Sequence, residues 1–201
     1  LNSHPLVLPL EAEPQFEVVY SVPAQCARDL EAGAVDVGLI PSIEYARSAD
    51  PYCIVPDVAI ASSGPVLTVR MFWKGDVSGI KRIALDLSSR TSAALLQILL
   101  AERHNLAPKL IHMEPDLDAM LAVADAALII GDPVFDYLAN DLSFMDLGAE
   151  WSEWTALPFV YAFWAGRAEA LQAEDVAAMA RARVEGAASI PQIAADFARR
   201  R

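Results

Sequence analysis

With 201 residues, 55% of them apolar, the chain is long enough to bury a substantial core as one domain or two small ones. Its formal charge of −12 argues against nucleic acid and anionic membranes as partners, which demand clustered Lys and Arg, but leaves room for a small anion held by local donors. No apolar run reaches the ~18 residues of a membrane span, and Cys26 and Cys53 are too few and too widely spaced for a metal motif. Both thiols sit among apolar neighbours and read as buried and reduced.

In chain order, Leu1 to Leu6 reads as the exit of a strand into a helix, with Asn2 or Ser3 as cap and Pro5 in the first turn. Phe16–Tyr20 reads as a strand, Ser21–Leu30 as a helix stopped at Gly33, and Val35–Ile40 as a strand running into a helix start at Pro41-Ser42. Ile54-Val55 and Val58–Ala61 are extended, Ser62–Pro65 is a turn, and Val66–Trp73 is a long apolar strand. The polar stretch Lys74–Gly79 suits a boundary between lobes. After it come a strand over Ile83–Leu87 and a helix over Thr91–His104, whose apolar face is Leu95, Leu96, Ile98, Leu99 and Leu100. Leu110–Met113, Ala126–Ile130 and Phe144–Leu147 read as strands, and Leu117–Val123 as a helix begun at Pro115-Asp116. Gly131-Asp132-Pro133 starts another helix. The aromatic-rich return from Trp151 to Trp164 contains a strand over Pro158–Trp164. Two helices finish the chain, Ala173–Arg183 and one begun by a capping box at Ser189 and Gln192.

Between the central strand and helix lie Ser88, Ser89, Arg90, Thr91 and Ser92, four hydroxyls around one arginine. A helix start offers unpaired N–H groups and the positive end of a dipole, so this stretch suits a carboxylate or phosphate. The simpler alternative is that Ser88 or Ser89 only caps the helix and Arg90 is solvated.

An internal similarity suggests two lobes. Leu30–Ile40 ending in Pro41-Ser42, and Met120–Ile130 ending in Gly131-Asp132, each run helix end, Asp, buried strand, polar helix start. Such alternation implies parallel sheets, whose ligands bind at the carboxyl ends of the strands. That places Asn2, Ser42, Ser88 to Thr91 and Asp132 around one cleft between the lobes. Asp36 and Asp125 precede their strands and fall at the opposite end. His4, at the presumed cleft edge, is a candidate ligand donor or acid, whereas His104 and His112 read as surface or packing residues. The scattered histidines offer no ligand-spaced metal pair, and G-x-G-x-x-G, P-loop and G-x-S-x-G motifs are all missing. The chemistry available is that of a binder of a small, hydroxylated, anionic molecule, needing no cofactor.

The segments Leu1–Leu6, Asp36–Tyr45, Ile60–Val66, Leu85–Ser92 and Leu157–Ala162, in that order, resemble the MqnA family, the chorismate dehydratases of menaquinone biosynthesis. The likeness runs from Leu1 to about Trp164. It implies a type II periplasmic-binding-protein-like fold of two α/β lobes with a ligand cleft between them. Residues 1–68 with 165–201 would form lobe one and 74–157 lobe two, with crossing strands near 67–73 and 158–164. It also implies a cytoplasmic hydro-lyase, monomer or homodimer, converting chorismate to 3-[(1-carboxyvinyl)oxy]benzoate in the futalosine pathway. Chorismate carries two carboxylates and so needs two clamps. Ser88, Ser89, Arg90 and Thr91, with Gly131 and Asp132, are the candidates in one lobe, although Asp132 as an anion would repel a carboxylate unless it caps the helix that follows. Ser42, Ser62 and the N–H groups near Asn2 and Ser3 are candidates for the second clamp, and Asn2 is the candidate catalytic residue. The rival from another class is a non-catalytic solute-binding protein for an anionic metabolite.

Overall fold

Residues 2–139 and 141–200 are described by a computed structural model. In chain order they form α1 (His4–Val7), α2 (Pro23–Glu31), β1 (Val37–Pro41), α3 (Ser42–Arg47), β2 (Tyr52–Ser62), β3 (Val69–Trp73), β4 (Arg82–Asp86) and α4 (Thr91–His104). Then follow β5 (Lys109–Met113), α5 (Leu117–Val123), β6 (Ala126–Ile130), β7 (Ser143–Asp146), α6 (Leu147–Thr155), β8 (Phe159–Arg167), α7 (Ala173–Ala188) and α8 (Ile190–Arg200). Two units result, one of Leu1–Ile60 with Ala162–Arg201 and the other of Ala61–Tyr161. The chain thus changes unit inside β2 and returns inside β8. The strand expected to cross near 67–73 is instead β3, which lies between β6 and β7 in the second unit's sheet. A short apolar run suits a central strand as well as a crossing one, and here the ladder decides.

The first unit holds a three-stranded sheet of order β1-β8-β2, with β1 and β8 antiparallel. The parallel pairing expected around β1 is therefore replaced by an antiparallel return strand. Leu6, Val7 and Leu10 meet Val55, Val58, Met179 and Ala182 in its core. Close approach of α1 to α7 requires Gly186, because a Cβ there would fall 1.6 Å from the Pro5 carbonyl oxygen. Phe16–Tyr20 does not form a strand. Phe16 and Val18 turn toward the core as alternation demands, yet no ladder is made. Ser189 does not open a capping box. It ends α7, its hydroxyl donating to the Glu185 carbonyl at 3.0 Å, while the box that is present is Gln172 with Asp175 at the start of α7. Cys26 is half-buried and Cys53 exposed, on an outward position of β2, so the two thiols are free but not both buried.

The second unit holds a five-stranded sheet of order β5-β4-β6-β3-β7. The pairs β4–β5 and β4–β6 are parallel, whereas β3 runs antiparallel to β6 and β7. Leu39 and Leu128 accordingly belong to different sheets. Leu95, Leu96, Leu99 and Leu100 bury one face of α4, each contributing about 1.5–3 kcal/mol relative to exposure. Ile98 is exposed, since a 3.6-residue period carries it off the face its neighbours share. Leu147–Thr155 is helical although the sequence reads as part of an aromatic return. Asp146 caps this helix, and Ala156 ends it in the left-handed conformation. No helix among the described residues is long and apolar enough to cross a membrane.

Candidate functional site

Strand direction gathers the candidate groups of the second unit at one sheet edge. The carboxyl ends of β4, β6 and β7 share that edge with the start of β3, because Val69 pairs with Ile130 and Arg70 with Asp146. Thr68, Ser88 to Thr91, Gly131, Asp132 and Asp146 lie along it. Gly131, at φ 72, donates its N–H to the Thr68 carbonyl at 2.7 Å, which ties the exit of β6 to the entrance of β3. A six-residue 3-10 turn, rather than an α-helix, then starts at Asp132.

The turn between β4 and α4 is folded by Asp86, whose buried carboxylate accepts from the Ser88 N–H at 2.8 Å and its hydroxyl at 2.7 Å. Ser88 therefore spends its one O–H on Asp86 and is not an open anion donor. Neither Ser88 nor Ser89 caps α4. The capping position is Arg90, whose side chain makes no cap bond and is exposed. Ser89 is 2% exposed, and its Oγ has no hydrogen-bond partner. An unsatisfied buried hydroxyl costs about 1–3 kcal/mol, which an incoming acceptor would recover. It stands two residues before the first turn of a fourteen-residue helix, where further N–H groups lack intrahelical partners. Thr91 and Ser92 are buried beside it.

A second group of side chains forms around Ser62. Its Oγ lies 3.5 Å from the Tyr161 hydroxyl. A Cβ at residue 148 would fall 2.6 Å from the Gly64 carbonyl oxygen, 2.8 Å from Ser62 Oγ and 3.0 Å from Tyr161 Oη, so only glycine fits. The loop after Ser62 is held from α6. Gly64 donates its N–H to Ser152 Oγ at 2.8 Å, and Val66 and Leu67 donate theirs to the Asp146 carboxylate at 3.0 and 2.7 Å. The same carboxylate accepts from the Gly148 and Ala149 N–H groups at 3.0 and 3.1 Å, and Arg70 Nε lies 4.0 Å from it. No motif marks Asp146, Gly148 or the Tyr161 hydroxyl as a site group in the sequence. An Asp ahead of Leu-Gly-Ala-Glu is nevertheless a legible helix start.

Burial, reinforced by the charge of Asp146, pushes the Tyr161 phenol up to about 12, so at neutral pH it is a hydrogen-bond donor and not a base. An unfolded tyrosine ionises near 10.0, so as pH rises the unfolded chain loses its proton first. This contribution is complete below about pH 10 and is lost between about 10 and 12. Tyr161→Phe is expected to shrink the fall in melting temperature between about pH 10 and 12, without abolishing it, because Tyr20 is also pushed up to about 12. An unchanged alkaline slope would show that the phenol is not so buried.

In the first unit, Asn2 and Ser3 form a turn leading into α1. Ser3 occupies the capping position but makes no side-chain cap bond, its φ of −80 and ψ of −22 being already helical. Leu1 lies outside the described residues, and with it the expected strand exit. Ser42 begins α3 at the carboxyl end of β1, as its place in the repeat suggests. His4 Nδ1 is buried without a hydrogen-bond partner, its ring centroid 6.2 Å from that of Tyr20. Outside these groups, His104 pairs with Glu150 at 3.1 Å and His112 is exposed in β5. Asp125 accepts the N–H groups of Lys81 and Arg82 at 2.9 and 2.8 Å, at the far end of the sheet from Ser89. No metal-binding group of His, Cys, Asp and Glu is found among the described residues.

Known proteins match this arrangement over nearly its whole length. The chain is 25% identical to protein AF1704 of Archaeoglobus fulgidus, with a TM-score of 0.73 over 98% of this chain and 76% of that one. The periplasmic aliphatic sulphonate binding protein SsuA of Escherichia coli, 17% identical, superposes with a TM-score of 0.63 over 98% of this chain and 74% of that one. The fold is thus that of the periplasmic binding proteins, built on two α/β units. Among curated proteins, the chorismate dehydratase of Thermus thermophilus is 33% identical over 92% of this chain and 74% of its own length. That of Campylobacter jejuni is 30% identical over 81% of this chain and 58% of its own. The family model for menaquinone biosynthesis matches residues 1–201, and the chain belongs to that family.

Proposed function

We propose that the chain is a chorismate dehydratase, removing water from chorismate to give 3-[(1-carboxyvinyl)oxy]benzoate in the futalosine route to menaquinone. Its relatives carry the name, and the observation that carries the chemistry is the buried, unpartnered hydroxyl of Ser89 at the sheet edge. In this reading the ring carboxylate takes the Ser89 hydroxyl and the first N–H groups of α4, with Thr91, Gly131 and Asp132 shaping the pocket and Arg90 supplying charge from outside. Ser88 braces Asp86 beneath them. For the second carboxylate, Ser62 beside Tyr161 is the candidate of the second unit, and Ser42, Ser3 and Asn2 are those of the first.

The reaction breaks the C–H bond at the ether-bearing ring carbon, where the conjugated carboxylate acidifies the proton. The pair left behind becomes a ring double bond as the neighbouring hydroxyl leaves, and aromatisation drives the step. Tyr161 stays protonated, and Asp146 spends its oxygens on four backbone N–H groups. We assign the proton to the substrate's own enolpyruvyl carboxylate, which hands it on to the departing hydroxyl, so that water leaves and the carboxylate is restored. The protein then contributes orientation and exclusion of water, which are large factors in their own right.

Purified protein mixed with chorismate is expected to develop the ultraviolet absorbance of a substituted benzoate, with a product lighter by one water. Chorismate bound but recovered unchanged would instead mark a solute-binding protein. Ser89→Ala is expected to raise KM about tenfold while leaving melting temperature equal or higher, because it deletes an unsatisfied buried group. A lowered melting temperature with unchanged KM would remove Ser89 from the site.

A further inference from the structure

We propose that Leu67 is a specificity residue whose apolar side chain packs against the substrate's ring, and that Asp146 is the positioning residue that holds it there. The proposal rests on the dehydratase reading. Among the described residues four non-glycine positions have positive φ. Asn105 and Ala156 are the left-handed C-caps of α4 and α6, and Asp57 is of a type that tolerates the region. Leu67, at φ 66, is a branched aliphatic residue that ends no helix. The Thr68 N–H donates to the Val66 carbonyl at 2.8 Å, closing a γ-turn around Leu67 of the rare and strained hand.

Packing does not repay this strain, because Leu67 is 55% exposed. The conformation is imposed from below by the Asp146 carboxylate, which takes the N–H groups of Val66 and Leu67 on its two oxygens. Glycine would adopt the turn at less cost, so the side chain is what the strain retains. Its place fits a contact with a ligand. Leu67 adjoins Thr68, whose carbonyl holds Gly131, and precedes by two residues the Val69–Ile130 pair at the edge that carries Ser89. The hydroxyls and N–H groups there recognise carboxylates, and a flat diene between two carboxylates also needs an apolar wall.

The test is chorismate turnover by the parent protein and by Leu67→Gly, Leu67→Asn and Leu67→Met, each with its melting temperature. Leu67→Gly is expected to melt no lower than the parent, yet to raise KM about ten- to a hundredfold with kcat little changed, as loss of an apolar contact requires. Leu67→Asn, which also tolerates a left-handed φ, should lose as much. Leu67→Met should restore KM to within about threefold of the parent by keeping an apolar side chain. Parent-like KM in both the Gly and Asn variants would overturn the proposal while leaving the dehydratase reading intact. A parent inactive on chorismate would overturn that reading and this proposal with it.

Discussion

Asp146→Ala is expected to destabilise the fold by about 3–5 kcal/mol, a fall in melting temperature of roughly 10 °C, the loss typical of stripping a buried charge from its partners. Four backbone N–H groups converge on this carboxylate, two from the loop before β3 and two from the first turn of α6. Bonds to an ionised acceptor are worth about 1.5–3 kcal/mol each, and donors left buried incur the desolvation penalty as well. The Arg70 guanidinium, stacked 4.2 Å from the centroid of the Phe144 ring, would lose its neighbouring counter-charge. Asp146→Asn keeps the shape and one acceptor oxygen, so it should recover part of the loss. Denaturant melts of the three proteins measure the difference. An alanine variant as stable as the parent would show that Ser152 and the strand ladder hold the loop without Asp146.

The sequence reads well where an element is fixed by its own composition. The runs Ile83–Leu87 and Ala126–Ile130 and the leucine-rich helix between them have one period each, and β4, β6 and α4 follow them closely. Asp116, read as a helix start, caps α5 by accepting the Ala119 N–H at 3.0 Å. Elements decided by partners distant in sequence read poorly. Phe16–Tyr20 alternates like a strand but makes no ladder, and Val69–Trp73 has the apolar character of a crossing strand yet lies inside one sheet. In the site, residue type was legible and commitment was not. The Ser88–Asp86 bond is a local Asx-type turn that spacing alone can suggest. Burial of the Ser89 hydroxyl, by contrast, depends on how α4 docks. Asp146 escaped notice because the loop it holds lies some eighty positions away, Val66 being its partner at a separation of 80.

Asn2→Ala is expected to lower kcat for chorismate dehydration about ten- to a thousandfold, by analogy with the removal of one oxyanion-hole donor. Asn2 lies in the turn before α1, exposed and uncharged, so its amide can meet a substrate carboxylate or leaving hydroxyl without adding repulsion in a protein of net charge −12. If it orients the enolpyruvyl carboxylate toward the ring proton, that service is worth more in the transition state than in the ground state. The loss then falls on kcat more than on KM. A helix-capping role predicts the opposite pattern, a stability loss of about 1 kcal/mol with turnover per folded molecule intact. The structure assigns the capping position to Ser3, which makes no side-chain cap bond. Measuring kcat, KM and melting temperature on one preparation separates the two roles. A parent-like kcat with a lowered melting temperature would take Asn2 out of the chemistry.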